Sequence, residues 1–311
     1  MAKDSKFNKN KKPTIMSASQ NRGGVFLPIK KAVHISKEIR IYVYKNKWQE
    51  VKIEGIPLTQ THQDILESIF YVAEEIKEFS DGCLGIKFMP GKVLSVLKIT
   101  GKNHLWLYGK IKEIMLNLIT IKKNSDNDEM PPINHIIKEF DNSTEQTTKK
   151  LPTGKILNYK YILFSKQFID FINKDISLFY RDLIPQIISL QYPILKSLVR
   201  FCLSHQKLNI SIDEFLANIH TNESSERYKR TLISQIKMNE YNLSKFEIKI
   251  KKIKTGKNSG KLGIFYERKN ILIKHNNKHC IYKPSQASGT NIIPERNKYN
   301  TKNGKKKAKR N

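Results

Sequence analysis

Apolar positions along this chain fall into two runs of changing period, separated by an acidic stretch. The first run opens on Ile39-Arg40-Ile41-Tyr42-Val43-Tyr44, which alternates as a strand does. From Thr61 to Phe79 the period lengthens: Ile65, Leu66, Ile69, Ala73 and Ile76 recur at three and four residues. Thr61 with Asp64 resembles a capping box, so a helix is predicted over this span. The turn Ser80-Asp81-Gly82 leads into an extended Leu84-Gly85-Ile86-Lys87-Phe88. Pro90 suits the first turn of a short helix carrying Val93, Leu94 and Leu97, because proline lacks the N–H that a helix start leaves unpaired. Gly101 stops it. A further helix is expected from about Asn103 to Leu118, with Leu107, Ile111, Ile114, Met115 and Leu118 on one face. Two strands follow, Ile119 to Lys123 and Ile156 to Phe164, with an acidic, proline-containing loop from Asn124 to Lys150 between them.

The second run repeats the order. Ile194, Leu195, Leu198, Val199 and Cys202 give a helix from Tyr192 to His205 its buried stripe, and an extended Leu208 to Ile210 follows. Ser211-Ile212-Asp213-Glu214 reads as a capping box opening a helix to Ile219, with Phe215, Leu216 and Ile219 inward. In a basic helix from Ser224 to Tyr241, Tyr228, Leu232 and Ile236 recur at i+4, so Arg227, Arg230, Ser234 and Lys237 face the other way. Phe246 to Lys254 and Leu262 to Arg268 pair as a hairpin across Thr255 to Lys261, where Gly256 and Gly260 supply the turn. Each run ends in helix, strand, helix, helix, two strands. The predicted fold class is therefore α+β: two tandem winged-helix domains, 36–165 and 166–282, between basic tails, 1–35 and 283–311, read as disordered.

A length of 311 residues accommodates two such domains and tails, and a hydrophobic content of 39% fits unstructured ends. The net charge of +29 attracts polyanions, nucleic acid first among them. Lysine, asparagine and isoleucine abundance is also what an A·T-rich genome imposes, so where the charge sits says more than its sum. Cys83, Cys202 and Cys280 are far apart and in no CxxC pair, which argues against a disulfide framework or zinc ribbon and fits a reducing bacterial cytoplasm. No apolar run is long enough to span a membrane.

Catalytic signatures fail one by one. Gly256-Lys257-Asn258-Ser259-Gly260-Lys261 approaches a P-loop but is one residue short between its glycines, carries Leu262 where a hydroxyl should hold magnesium, and joins two strands. His275, His279 and Cys280 lack a fourth ligand at recognised spacing, and Asp126, Asp128 and Glu129 run into Pro131 and Pro132. No His-x-His, GxSxG, HExxH or EF-hand loop occurs. The expectation is a non-enzymatic protein with no metal and no cofactor.

Double-stranded DNA is the expected partner. Arg227 and Arg230 are two of only nine arginines among 57 basic residues, so their common face is not lysine drift. Arginine is suited to paired bonds with guanine in the major groove. Lys229, Ser234 and Lys237 extend the helix's polar side, while Lys251, Lys254, Lys257 and Lys261 on the hairpin suit phosphate, which fixes register. In the first domain, Lys102, Asn103, Trp106 and Lys110 form an auxiliary DNA or partner surface.

These residues resemble a family. Asn21-Arg22-Gly23-Gly24-Val25-Phe26-Leu27-Pro28 ahead of a strand, with Leu58-Thr59-Gln60 leading into a helix, looks like the start of plasmid replication initiators of the TrfA kind. Tyr161-Ile162-Leu163-Phe164 with Phe168 and Phe171, Ile194 to Phe201, Ser204-His205, and Glu226-Arg227-Tyr228-Lys229-Arg230 are similar to that family in order and spacing. The chain departs from it in its lysine content and its acidic loop. The resemblance implies a plasmid initiator that binds direct repeats (iterons) at an origin, promotes melting of an adjacent segment, recruits the host initiator and replicative helicase, and exchanges between monomer and dimer. The first domain would then serve dimerisation or partners, and the second would read the DNA. A winged-helix transcriptional regulator or architectural protein is the alternative, and would prefer an inverted repeat.

Overall fold

Strand β1 (Met16–Ser17) and the single helical turn α1 (Ala18–Asn21) lie buried inside the protein. The structure, a computed structural model, describes residues 16–29, 40–100, 103–124, 133, 135–140, 148–150, 154, 156–175, 177–178, 180–219 and 225–268, all within the unit Met1–Ile281. Part of the tail read as disordered, residues 16–29, is thus packed, with Met16, Ala18, Val25 and Phe26 each at most 4% exposed. Its apolar residues are too sparse for a period. Its polar ones are satisfied by partners far away in sequence, as where the Ser19 N–H donates to Asp175 Oδ2 (2.8 Å). The tail 283–311 lies outside the described residues.

Strands β2 (Arg40–Lys45) and β3 (Gln49–Gly55) form an antiparallel hairpin. Helix α2 (Gln60–Val72) follows. It starts earlier and stops earlier than the periodicity predicts. Its N-cap is Thr59, whose N–H donates to His62 Nδ1 (2.9 Å), so Thr61 and Asp64 form no cap. After Ala73 the chain turns extended into β4 (Glu75–Glu78). Ile76 is buried, as expected, but as a strand residue opposite Ile86 of β5 (Leu84–Phe88), because one apolar position fits either period. Helices α3 (Pro90–Val96), with Pro90 in its first turn, and α4 (His104–Met115) come next.

Strand β6 (Leu118–Lys123) joins β3, with Val51 opposite Ile121 and Ile53 opposite Ile119. The acidic stretch expected to be a loop carries β7 (Ile137–Phe140) and ends in β8 (Thr148–Lys150), which pairs with β9 (Ile156–Asn158). Strand β10 (Lys160–Phe164) then lies between β5 and β7, so the hairpin partner that closes the first repeat is β7 and not β6. Ser165 caps α5 (Lys166–Lys174), and β11 (Ser177–Leu178) pairs back onto β1.

A 3₁₀ turn and α6 (Ile184–Ile188) lead to α7 (Pro193–Leu203), β12 (Lys207–Ser211), α8 (Ile212–Asn218), α9 (Glu226–Met238), α10 (Glu240–Ser244), and the hairpin β13 (Ile248–Lys252) and β14 (Leu262–Glu267). Ser211 Oγ accepts from the Glu214 N–H (3.1 Å), and the Glu214 carboxylate reaches Lys47 (2.7 Å). The two halves share one internal topology. Helix, strand, helix, helix and hairpin are α2, β5, α3, α4, β7–β10 in the first, and α7, β12, α8, α9, β13–β14 in the second. The first sheet has the order β4-β5-β10-β7, with β4 as an additional edge strand, and the second β12-β14-β13; in each the last strand of the chain lies between the other two of the shared set.

The halves meet along α2 and α7 through buried charge. Arg200, 1% exposed, donates from Nε and Nη2 to Glu67 (2.9 and 2.6 Å), from Nη2 to Asp64 Oδ1 (2.6 Å), and from Nη1 to Gln60 Oε1 (2.6 Å). Lys196 Nζ donates to Asp64 Oδ2 (2.6 Å). The Tyr180 hydroxyl donates to Glu67 Oε1 (2.7 Å) and accepts from Asn21 Nδ2 (3.1 Å). Two cations meet two carboxylates, so the group is neutral overall and hydrogen-bonded, as buried charge requires. Burial opposes the Arg200 charge, but Glu67 and Asp64 outweigh it and raise the guanidinium's pKa further. Burial likewise pushes the Tyr180 phenol well up, with Glu67 adding to it.

Candidate nucleic-acid interface

Helix α9 exists because Ser225 caps it and because its inner face has a core to bury into. The Tyr228 N–H donates to Ser225 Oγ (3.3 Å). Leu232 and Ile236 share one core with Ile248, Ile250 and Ile264 of the hairpin. Tyr228, expected in the same buried stripe, is 36% exposed, since it lies a turn nearer the helix start, past the edge of that core. With the inner face committed, Arg227, Arg230, Thr231, Ser234, Gln235 and Met238, with Glu226 at the helix start, line a shallow groove on the other side. Among the described residues Arg227, Arg230 and Lys237 have no ion-pair partner. Lys229 has one: it pairs with Glu226 at 2.9 Å, one turn back.

The hairpin is closed tightly at its tip. Ile253 N–H donates to the Lys261 carbonyl and Gly260 N–H to the Ile253 carbonyl, both at 2.8 Å, while Ser259 Oγ donates to the Lys254 carbonyl (3.0 Å). Gly256 (φ 84°) and Gly260 (φ 81°) hold the left-handed conformations this turn needs. Lys254, Lys257 and Lys261 stand exposed there. Lys251 is exposed as well, but it alternates with buried Ile248 and Ile250, so it projects from the outer face of the sheet, away from α9. Lys252 shares the inner register and is exposed beyond the core, on the side of the helix. Of the nine residues expected on this surface, Arg227, Arg230, Ser234 and Lys237 share α9's outward side, and Lys254, Lys257 and Lys261 share the hairpin tip. Lys229 and Lys251 stand apart from both. Thr231, Gln235, Met238 and Lys252 escaped the sequence reading, which sought charge; the signal that could have found the first three is their spacing from Arg227.

The auxiliary surface of the first half is changed by the structure. Lys102 lies outside the described residues. Asn103 precedes α4, with its Nδ2 donating to Thr100 Oγ1 (2.9 Å), and Trp106 is half-buried. Lys110 does not reach outward; it donates to both Glu113 oxygens (2.8 and 2.7 Å), and Glu113 also meets His62 Nε2 (2.9 Å). Burial works against the Glu113 carboxylate, but the bonds from His62 and Lys110 prevail and hold its pKa below the usual range. The exposed residues of α4 are Leu105, at 85%, with Gly109 and Lys112.

Cys83 and Cys202 are buried free thiols whose pKa values burial raises. Among the described residues no cluster of three or more His, Cys, Asp or Glu side chains could hold a metal ion, and no helix is long and apolar enough to cross a membrane. What the surface can do is meet a polyanion with exposed cations on α9 and on the hairpin that have no ion-pair partner among the described residues.

By its architecture the chain is a mixed α/β protein built on antiparallel sheets. It matches no protein-family model and no curated protein sequence. It is similar in fold to a solved structure, that of domains 2 and 3 of RctB, with a TM-score of 0.50 and 12% identity, covering 80% of this chain and 97% of that one.

Proposed function

We propose that this protein is a replication initiator made of two winged-helix units in tandem, which binds direct repeats at an origin without catalysing a reaction. The observation that carries the reading is the second half: α9 turns Arg227, Arg230 and Ser234 outward, and after the short α10 comes a hairpin whose tip bears Lys254, Lys257 and Lys261. Side chains on such a helix suit base edges, and lysines beside it suit phosphate. Two further facts support it. The sheet orders of the two halves correspond, which is the arrangement expected of tandem units. RctB, whose domains 2 and 3 the chain is similar to in fold, is a replication initiator (Vibrio chromosome II).

The first half would serve contacts with a second copy or with host proteins, the host initiator and replicative helicase among them, in the bacterial cytoplasm. Its β2–β3–β6 sheet supports that division, because Ile41 (59% exposed), Val43 (57%) and Leu118 (37%) stand on one solvent face. Footprinting on the DNA that flanks the gene tests the reading. Protection should recur at the spacing of direct repeats, and affinity should fall steeply with salt. Protection of a single inverted repeat would favour a dimeric regulator, and no protection at all would remove the initiator from consideration.

A further inference from the structure

The outward side of α9 is not uniformly basic. At 3.6 residues per turn, Arg227, Thr231, Ser234 and Met238 project within about 40° of one line, with Arg230 and Lys237 along one flank and Gln235 on the other. The line therefore begins on a cation and ends on an apolar side chain. Met238 is 81% exposed, so its side chain is free to make an apolar contact on this face. Thr231 contributes to the same change in character. Its hydroxyl donates to the Arg227 carbonyl (3.0 Å), so what it offers the groove is its methyl group. Both residues line the groove that holds Arg227 and Arg230.

In the major groove, guanine presents two acceptors that a guanidinium can bridge, and thymine presents a methyl group that only apolar contact recognises. We propose that Met238, assisted by the Thr231 methyl, reads thymine methyl groups, so that α9 selects guanine at its N-terminal end and thymine at its C-terminal end. This rests on the reading of α9 as the helix that enters the major groove. Arg227 and Met238 stand roughly 16 Å apart along the helix axis. The thymine contact therefore falls a few base pairs from the guanine contact and in the same groove.

The test uses the full chain. A duplex enriched from a random pool is resynthesised with each thymine replaced, one at a time, by deoxyuridine, which removes the methyl group and nothing else. Wild type should lose about three- to fivefold in affinity at one or two of these positions. Met238→Ala should lose a similar factor on the thymine duplex and show no further loss on the uracil one, while Met238→Leu keeps the methyl dependence. Arg227→Ala should bind more weakly yet remain as sensitive to those methyl groups as wild type. Indifference of wild type to every methyl overturns the inference, and so does a Met238→Ala variant that responds to uracil as wild type does. Failure to enrich any duplex would overturn the initiator reading and this inference with it.

Discussion

At the scale of single residues, the least expected side chain is His205. Its ring packs at a tilt against Phe201 (4.8 Å) and Trp48 (5.4 Å), so a strand-turn residue of the first half closes over a helix end of the second. Nδ1 lies 2.9 Å from the Phe201 carbonyl, while Nε2 is buried with no partner among the described residues. Arg22 and Lys47 lie over the other parts of the same indole. Burial pushes the imidazole pKa down to about 4; the Phe201 carbonyl opposes this, and the charges of Arg22 and Lys47 reinforce it. A free histidine titrates near 6.5. The unfolded chain therefore binds the proton first, and the contribution is complete above about pH 6.5 and lost as pH falls towards about 4. Allowing for partial exposure, the loss is on the order of 1–2 kcal/mol. Urea unfolding of wild type and His205→Phe at about pH 7.5 and about pH 5 isolates it, because the variant keeps an aromatic ring and drops the proton site. Wild type should lose more stability than the variant between the two conditions, and an equal loss in both would refute the assignment.

At the scale of elements, α9 and the hairpin divide the work of one surface, and the division can be measured. Arg227→Ala or Arg230→Ala should cost about 1–3 kcal/mol on the specific duplex and less on random DNA. Replacing Lys254, Lys257 and Lys261 together by alanine should weaken both duplexes alike and flatten the salt dependence by about 0.9 per lysine. Titrations of the two duplexes across salt concentrations decide it; indistinguishable behaviour of the two sets of variants would mean that helix and hairpin have been given the wrong roles. These elements were legible in the sequence because their signals are local: Ser211 as a cap, Leu232 and Ile236 at helical spacing, Gly256 and Gly260 in a turn. The elements that escaped depend on distant partners. Strand β7 hides in an acidic stretch because its apolar residues, Ile137 and Phe140, find their partners in Phe164 and Ile162 of the distant β10. Residues 16–29 pass for a tail because Leu27 N–H and carbonyl are satisfied by Leu58 and Gln60, which no periodicity announces. The outer-face position of Lys251 follows from the pleat, which a charge count does not register.

At the scale of the whole molecule, the question is what makes two similar halves behave as one body. Asp64, expected from the sequence in a capping box with Thr61, and Glu67, one turn further along α2, are both charged residues of the kind usually left to solvent. The structure covers them with α7 and supplies Arg200 and Lys196 as counter-charges, at exposures of 6% and 0% for the two carboxylate side chains. Such a group adds little net stability compared with a well-packed apolar one, but it is unforgiving of a missing partner. Arg200→Leu leaves Glu67 buried without its guanidinium and should cost about 3–5 kcal/mol. Adding Glu67→Gln, which removes the uncompensated charge and keeps a donor and an acceptor for Tyr180 and Asn21 nearby, should recover part of that loss. Denaturant unfolding reports both, with Trp48 fluorescence as the sensitive probe because its ring packs on Phe201, one residue beyond Arg200 (5.5 Å). Wild type should unfold in a single transition, since separating the halves exposes the charge cluster and the Trp48 contact together. Arg200→Leu should split it, with the Trp48 signal changing before the bulk of the helix content is lost. A single transition shifted by less than about 1 kcal/mol would show that apolar packing alone holds the halves, leaving the buried charges with no part in it.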